Sequence, residues 1–288
     1  MKIFRESGEL QQFALECVRA GKRIGLVPTM GYLHAGHLSL IDEARKRADL
    51  VIVSIFVNPT QFGPNEDLAK YPRDFERDAE LCRERGADAI FAPEPGAMYE
   101  ADHSTWVEET VLSQGLCGAT RPGHFRGVTT VVAKLFNLAL PAVAVFGQKD
   151  AQQALVIRRM TRDLNFPIEI VIAPLIRDRD GVALSSRNAY LSPGERERAR
   201  VLSRTLFASV PAIRSAGAEA LDDIAAAIRS EIEKYADAVD YVEILDAETL
   251  RKPTAATAEV VVLLAARFGK TRLIDNTLVT LNWKGEAE

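Results

Sequence analysis

Two histidines three residues apart are the groups most able to do chemistry in this 288-residue chain, His34 and His37 in Met30-Gly31-Tyr32-Leu33-His34-Ala35-Gly36-His37. A pair at this spacing suits three roles. It can hold a metal, but the chain has only two other histidines, His103 and His124, and no Cys or carboxylate cluster lies near the pair in sequence. It can also be an ordinary packing pair. The third role is anion binding, and the neighbouring residues favour it. Gly31 and Gly36 let another group approach the backbone closely. A helix that opens near Gly36 offers unpaired N–H groups and the positive end of its dipole. Two imidazole donors added there make a site for a polyphosphate, whose spread charge is held best by charge-assisted donors.

The elements that must position this pair follow from periodicity. Arg23–Val27 reads as a short buried strand, while Leu38, Leu40, Ile41 and Ala44 recur at helical spacing. Upstream, Ser7–Ala20 reads as a helix with Ser7 as N-cap and Gly21 as its stop. Downstream, Leu50–Val57 is a second buried strand that runs into the amide-bearing loop Asn58-Pro59-Thr60-Gln61. A charged helix over Asp74–Arg85, a short strand Ala89–Ala92 and an edge strand over Trp106–Leu112 are expected next. A glycine-rich loop spans Thr120–Gly127, then a helix covers Val128–Leu140. Strand Ala142–Phe146 leads into Gly147-Gln148-Lys149-Asp150, helix Ala151–Leu164 and strand Ile168–Ala173. Such alternation predicts an α/β fold with a parallel sheet and right-handed crossovers. Ligands then bind beyond the carboxyl ends of the strands, so loops 28–37 and 58–63 share one edge.

The character changes after Arg177-Asp178-Arg179-Asp180-Gly181. Helices over Ser192–Ala216 and Ala220–Tyr235 precede strands Val239–Leu245, Val260–Phe268 and Arg272–Val279. This predicts two domains, 1–175 and a smaller α+β domain 176–288. Gly269-Lys270-Thr271 resembles the end of a Walker loop, but position 264 is Leu where a glycine is required, so it reads as a hairpin turn. No GxGxxG follows a strand.

Composition excludes several classes. The chain is 47% hydrophobic and 26% charged, with net charge −4, so no bulk basic field draws it to nucleic acid. Cys17, Cys82 and Cys117 are odd in number and widely spaced, as reduced thiols in a cytosolic protein would be. The opening residues lack an apolar signal core, and the apolar run Leu138–Phe146 is too short to span a membrane. The expected location is the cytoplasm.

Other groups complete the site by chemistry. Asn58 and Gln61 offer neutral amides for hydroxyls or a carboxylate. Taken alone, they could equally cap turns. Lys149 and Asp150 offer a cation for phosphate and a carboxylate for a ribose hydroxyl or a metal; alternatively they begin a helix, with Asp150 as N-cap. Ser185, Ser186 and Arg187 offer two hydroxyls and a permanent cation, or a plain linker.

The stretch Thr29–His37 resembles the HxGH signature of nucleotidyltransferases and class I aminoacyl-tRNA synthetases. The longer string Pro28–Leu40 is similar to the pantoate–β-alanine ligase family. So are Phe56–Phe62, Tyr71–Asp74, Arg121–Phe125, Phe146–Gln153 and Ser185–Asn188, in the family's order. This resemblance implies a Rossmann-like sheet with a C-terminal lid domain. It also implies ATP-dependent joining of pantoate to β-alanine through a pantoyl adenylate, releasing AMP and pyrophosphate. By resemblance, ATP lies against Met30, Gly31, Tyr32, Leu33, His34, Ala35, Gly36, His37, Gly147, Gln148, Lys149, Asp150, Ile176, Leu184, Ser185, Ser186 and Arg187. Of these, His34, His37, Lys149 and Arg187 carry the chemistry. Gln61, Gln153 and Asn58 take the substrates pantoate and β-alanine, with Met30, Val131 and Val132 as apolar wall. Mg²⁺ is expected on the ATP phosphates rather than in a protein metal site, with no organic cofactor, no nucleic acid, no membrane and a homodimeric assembly. Leu184 stands where the family often has Met, and Tyr32 and Ala35 fill variable positions. Another HxGH nucleotidyltransferase, or an RNA-binding module derived from a synthetase, are the competing readings.

Overall fold

A computed structural model describes residues 1–64 and 66–282. The chain divides into two compact units, Met1–Pro174 and Leu175–Glu288. Asn65 and residues 283–288, which the expected domains include, lie outside the described residues.

The first unit begins with β1 (Lys2–Phe4), α1 (Ser7–Arg19), β2 (Ile24–Thr29), α2 (Ala35–Arg45) and β3 (Leu50–Ile55). It continues with α3 (Phe75–Glu84), β4 (Ala89–Phe91) and the short helices α4 (Pro95–Met98) and α5 (Cys117–Thr120). It closes with α6 (His124–Ala139), β5 (Val143–Gly147), α7 (Ala151–Asp163) and β6 (Glu169–Ala173). All six strands are parallel, in the order β1-β4-β3-β2-β5-β6. The chain therefore leaves β2 in one direction and returns to its other side at β5. That reversal is a topological switch point, where doubly wound sheets open a crevice. The loops after β2 and β5 flank it, and the loop after β3 lies beside them.

Val27, Val51, Val53, Ile90, Val143 and Val145 point to one face, packed with Leu38, Leu40, Ile41 and Ala44 of α2. Burying this stripe sets α2 over the sheet and fixes where its N-terminus emerges. Gly25 permits the close fit: a Cβ there would lie 3.1 Å from that of Ala48 and 3.3 Å from that of Ala44.

Several sequence expectations are corrected here. Strand β1 was not foreseen; it has only three residues, too few for a period, and pairs with β4. Ser7 does not cap α1: the N-cap is Glu6, and the Ser7 hydroxyl donates to Ala97 O. Trp106–Leu112 forms no strand. Thr130 Oγ1 accepts from Val107 N and Thr129 Oγ1 donates to Val107 O, so hydroxyls of α6 take the groups a ladder would use. The loop expected to Gly127 ends sooner, because Gly123 adopts φ 79° and His124 already begins α6.

The second unit contains α8 (Pro193–Ala199), α9 (Val201–Ser215), α10 (Leu221–Glu233), β7 (Ala238–Asp246), β8 (Glu259–Phe268) and β9 (Thr271–Thr280). Its antiparallel sheet runs β7-β8-β9. Leu202, Leu206, Ile213, Ile228 and Ile232 from the helices bury against Val242, Ile244, Val260, Val262 and Leu264. The single helix expected over Ser192–Ala216 is broken at Arg200. A straight helix would set Ala199 and Val201 on opposite sides, at about 100° per residue; the turn admits both to the core. Gly269-Lys270 is the expected hairpin turn. Among the described residues no helix is long and apolar enough to cross a membrane.

Candidate active site

The loop after β2 is held in an unusual backbone state. Gly31 has φ 81° and Tyr32 has φ 49°, two successive left-handed residues. Tyr32 carries a Cβ, so something must compensate its strain. The compensation comes from α3. Asp78, 1% exposed, accepts Tyr32 N through Oδ2 at 2.6 Å and Leu33 N through Oδ1 at 2.7 Å. Arg77 donates to Leu33 O at 2.9 Å and lays its guanidinium 5.3 Å from the Tyr32 ring centre. Burial pushes the Asp78 carboxyl above its usual range, although both backbone bonds pull the other way. Neither residue was foreseen as functional. A signal existed: Asp78 falls between Phe75 and Cys82 on the inward stripe of α3, where a lone carboxylate needs a partner.

His34 and His37 form a reciprocal cap on α2. His34, in extended backbone, accepts Gly36 N through Nδ1 at 3.1 Å. His37 Nδ1 in turn accepts His34 N at 3.3 Å. A backbone N–H can only donate, so both Nδ1 atoms bear lone pairs and both neutral rings carry their proton on Nε2. The rings stack with centres 4.0 Å apart. Adding a proton to either Nδ1 would break the cap. Accordingly, burial and then nearby Lys149 lower His34 to about 4. Burial, then His34 and Lys149, hold His37 well below the ordinary imidazole range. At neutral pH the helix start thus presents two uncharged donors.

The loop after β3 is a 3₁₀ turn, Pro59–Gln61. Asn58 is 1% exposed and its amide is engaged within the protein. Its Oδ1 accepts from Thr60 N, Thr60 Oγ1 and Tyr99 OH; its Nδ2 donates to Gln61 Oε1 at 3.2 Å and Gly127 O at 3.1 Å. That occupancy differs from the substrate-facing amide expected of Asn58: the side chain orders the loop and orients Gln61. Gln61 reaches across to the loop after β2, its Nε2 lying 2.8 Å from Met30 Sδ.

The loop after β5 supplies charge. Gln148–Asp150 is a 3₁₀ turn following Gly147, with Lys149 Nζ 3.4 Å from each Asp150 carboxylate oxygen. Asp150 stands at the N-cap of α7 but makes no capping bond. Two adjacent glutamines then divide. Gln152 is buried and holds the turn before α5, donating to Leu112 O and Gly115 O and accepting from Cys117 N. Gln153 is half-buried. Val131 and Val132 are buried on α6.

In the second unit, Leu184 N donates to Ile176 O, and Arg177 pairs with Ala183 in a bridge turned by Gly181 at φ 90°. Arg177 forks onto Asp275 at 2.6 and 2.8 Å, which fixes this hairpin to β9. Ser185 then caps a 3₁₀ turn, Ser186–Tyr190, by accepting Arg187 N at 3.2 Å. Ser186 is buried and Arg187 half-buried.

A parallel sheet with a histidine-capped helix start at its switch point, beside a lysine and oriented amides, defines an α/β enzyme that handles nucleotide phosphates. The family model for pantoate-beta-alanine ligase matches residues 2–278, and the chain belongs to that family. It is 52% identical over 287 residues to the pantothenate synthetase of Moorella thermoacetica, covering 98% of this chain and 100% of that one. It is 53% identical over 284 residues to pantothenate synthetase 1 of Bradyrhizobium diazoefficiens, covering 98% and 99%. The crystal structure of pantothenate synthetase from Thermus thermophilus is similar, with TM-score 0.86 and 44% identity over 96% of this chain and 99% of that one. A pantoate-beta-alanine ligase from Francisella tularensis, complexed with beta-gamma ATP and beta-alanine, gives TM-score 0.79 and 32% identity over 96% and 97%.

Proposed function

We propose that this chain performs its family's ligation, pantoate plus β-alanine to pantothenate, in two steps through a pantoyl adenylate. The observation that carries the reading is the His34–His37 cap, which spends both Nδ1 atoms on the backbone and leaves each ring's proton on Nε2 at the start of α2. ATP lies with its phosphates against these donors, the α2 N-terminus and Lys149. The pantoate carboxylate attacks the α-phosphorus in line, and charge moves onto the α-oxygens and the pyrophosphate. The protein needs only to position the groups and stabilise that charge. β-Alanine's amine then attacks the acyl carbon, the C–N bond forms, AMP leaves, and the amine gives up its proton.

Gln61 and Gln153 hold pantoate, with Met30, Val131 and Val132 as the apolar wall and Asn58 as the residue that sets Gln61. Asp150 and the Gly147 backbone serve the ribose side. Ser185, Ser186 and Arg187 engage the phosphates when the second unit acts as a lid, excluding water from the adenylate. Mg²⁺ fits a site of this kind as a passenger on phosphate oxygens, since it binds readily through substrate. Among the described residues no group of three His, Cys, Asp or Glu forms a cage for it. When bound it supplies charge neutralisation of the triphosphate.

The setting proposed is the cytoplasm, and the assembly a homodimer. Cys17 and Cys82 are free thiols, and burial pushes Cys82 up to about 12, which keeps it inert.

The test is release of pyrophosphate and of AMP from ATP and pantoate, with and without β-alanine. One equivalent of pyrophosphate per site without β-alanine, and AMP release with continued turnover only when it is added, is the expected result. Pyrophosphate release that requires β-alanine from the outset would remove the adenylate step.

A further inference from the structure

The main chain of Gln61 is gripped from the start of α6 by residues that carry no assigned role. His124 Nδ1 lies 2.8 Å from Gln61 O. A carbonyl only accepts, so Nδ1 bears the proton and Nε2 is left to accept from Arg121 Nη1 at 3.0 Å. Arg121 also donates to Gln61 O through Nη2 at 3.2 Å. Its fork is fixed by Glu66, with Nε–Oε1 at 2.7 Å and Nη2–Oε2 at 2.6 Å. Both side chains of this pair are largely buried, at 17% and 25% exposure, where a bidentate bridge holds geometry well. Burial acts to raise Glu66, yet the Arg121 bonds outweigh it and keep the carboxyl below its usual range.

One turn further along α6, Gly127 meets the same loop. Its carbonyl accepts from Asn58 Nδ2. A Cβ at this position would lie 2.4 Å from Thr60 O, 2.6 Å from Thr60 C and 2.8 Å from Gln61 Cα. All three are backbone atoms, so no side-chain rotation could relieve the clash.

We propose that Arg121, His124 and Gly127 form a positioning platform for Gln61, locked by Glu66, and that this platform sets the affinity for the hydroxy-acid substrate. The proposal rests on the reading that Gln61 contacts pantoate. Three contacts converge on the Gln61 main chain from one helix start, while its side chain is steered separately by Asn58 and Met30. Displacing the backbone by a few tenths of an ångström therefore moves the amide away from a fixed ligand. The Glu66–Arg121 pair is electrically balanced. It contributes placement, not a field that attracts the substrate's carboxylate.

The experiment is steady-state kinetics on Arg121→Ala, Arg121→Lys, Gly127→Ala and Gln61→Ala, plus the double variant Arg121→Ala/Gln61→Ala. Arg121→Ala removes a charge-assisted bond to the loop and should raise KM for pantoate about tenfold, with KM for ATP within about twofold. Gly127→Ala should raise it further, and Arg121→Lys, which keeps charge but not the fork, should restore only part of the loss. In the Gln61→Ala background the Arg121 substitution should add little, because its effect passes through a side chain already gone. A generally loosened fold would instead raise both KM values and add to Gln61→Ala in full; that result overturns the proposal, as does a normal pantoate KM in Arg121→Ala. If Gly127→Ala does not fold, the Arg121 pair and the double variant still decide. If Gln61→Ala itself leaves pantoate KM unchanged, the reading of Gln61 fails, and the outcome is distinguishable from failure of the platform alone.

Discussion

Replacing Asp78 with Asn tests whether a buried carboxylate holds the histidine loop in place. The substitution keeps shape and volume; it changes the hydrogen-bond chemistry and removes the charge that faces Arg77 at 3.5 Å. Asp78 accepts two backbone N–H groups, at 2.6 and 2.7 Å. An amide offers one oxygen, so one bond survives as a neutral bond, losing about 1 kcal/mol. The other backbone N–H then faces an NH₂ donor, which loses a charge-assisted bond of about 2 kcal/mol and leaves a buried donor unpaired. The direct cost is therefore roughly 3 kcal/mol. Relaxation returns part of it: Tyr32, at φ 49°, can leave the left-handed region and recover about 1 kcal/mol. Urea unfolding should show a net loss of about 2 kcal/mol at an unchanged m-value. The same relaxation shifts the start of α2, so single-turnover adenylation should fall by about 10²-fold, the usual penalty for misplacing a reacting group by an ångström. Arg77→Ala, which removes the contacts at Leu33 O and the Tyr32 ring and the 3.5 Å pairing with Asp78 Oδ1 but leaves both backbone bonds to the carboxylate, should do less. A stability loss below about 0.5 kcal/mol together with normal adenylation would show that the loop holds its conformation without Asp78.

Three further outcomes are expected. His34 in the folded protein should titrate near 4 rather than near the ordinary ~6.5; because the unfolded chain then binds more protons, stability is unaffected above about pH 6.5 and is lost as pH falls toward 4. An imidazole NMR titration reads this directly, and a midpoint near 6.5 would refute the cap tautomer. His37→Ala should fold and bind pantoate, but lose about 10²–10³-fold in adenylation; near-normal turnover would remove His37 from the mechanism. Arg187→Ala should slow adenylation strongly with little change in free-enzyme stability, and Arg187→Lys should recover only part, since a point charge replaces a fork. Adenylate formation at the normal rate in Arg187→Ala, without ligand protection of residues 176–190 from protease, would make this stretch a plain linker.

Much of this architecture was legible because it rests on local patterns. The β-branched run Val51-Ile52-Val53 and the short apolar run Val143-Ala144-Val145 read as buried strands, and the punctuation between them gives a parallel sheet. The HxGH spacing points to a helix start without any contact being known. What stayed hidden depends on long-range pairing. Asp78 lies 46 residues from Tyr32, and nothing in a local window says which N–H groups a buried carboxylate will meet. Trp106–Leu112 has strand-like composition, yet the hydroxyls of Thr129 and Thr130 compete for its backbone. Asn58 illustrates the limit for sites. Its residue type suits a ligand or a turn equally, and only the atoms around it show that its amide is consumed by Thr60, Tyr99, Gln61 and Gly127.

The electrostatic arrangement explains how neutral histidines and the cation Lys149 lie together at the carboxyl edge of the parallel sheet. Two imidazolium groups stacked 4.0 Å apart would repel each other and would give up the α2 cap. Burial lowers the proton affinity of both rings and Lys149 acts in the same direction, so the cation proposed to attract phosphate also helps keep its neighbours uncharged. In the proposed reaction this divides the labour. Lys149 and Arg187 supply charge that is present before and after adenylation and therefore governs ATP binding. The histidines supply directional Nε2–H donors, fixed by backbone bonds at Nδ1. Such donors need no reorganisation as charge builds on the α-oxygens, which is where preorganised dipoles contribute most to rate. The division makes a kinetic claim: loss of Lys149 should weaken ATP binding and chemistry together, whereas loss of His37 should fall chiefly on the chemical step.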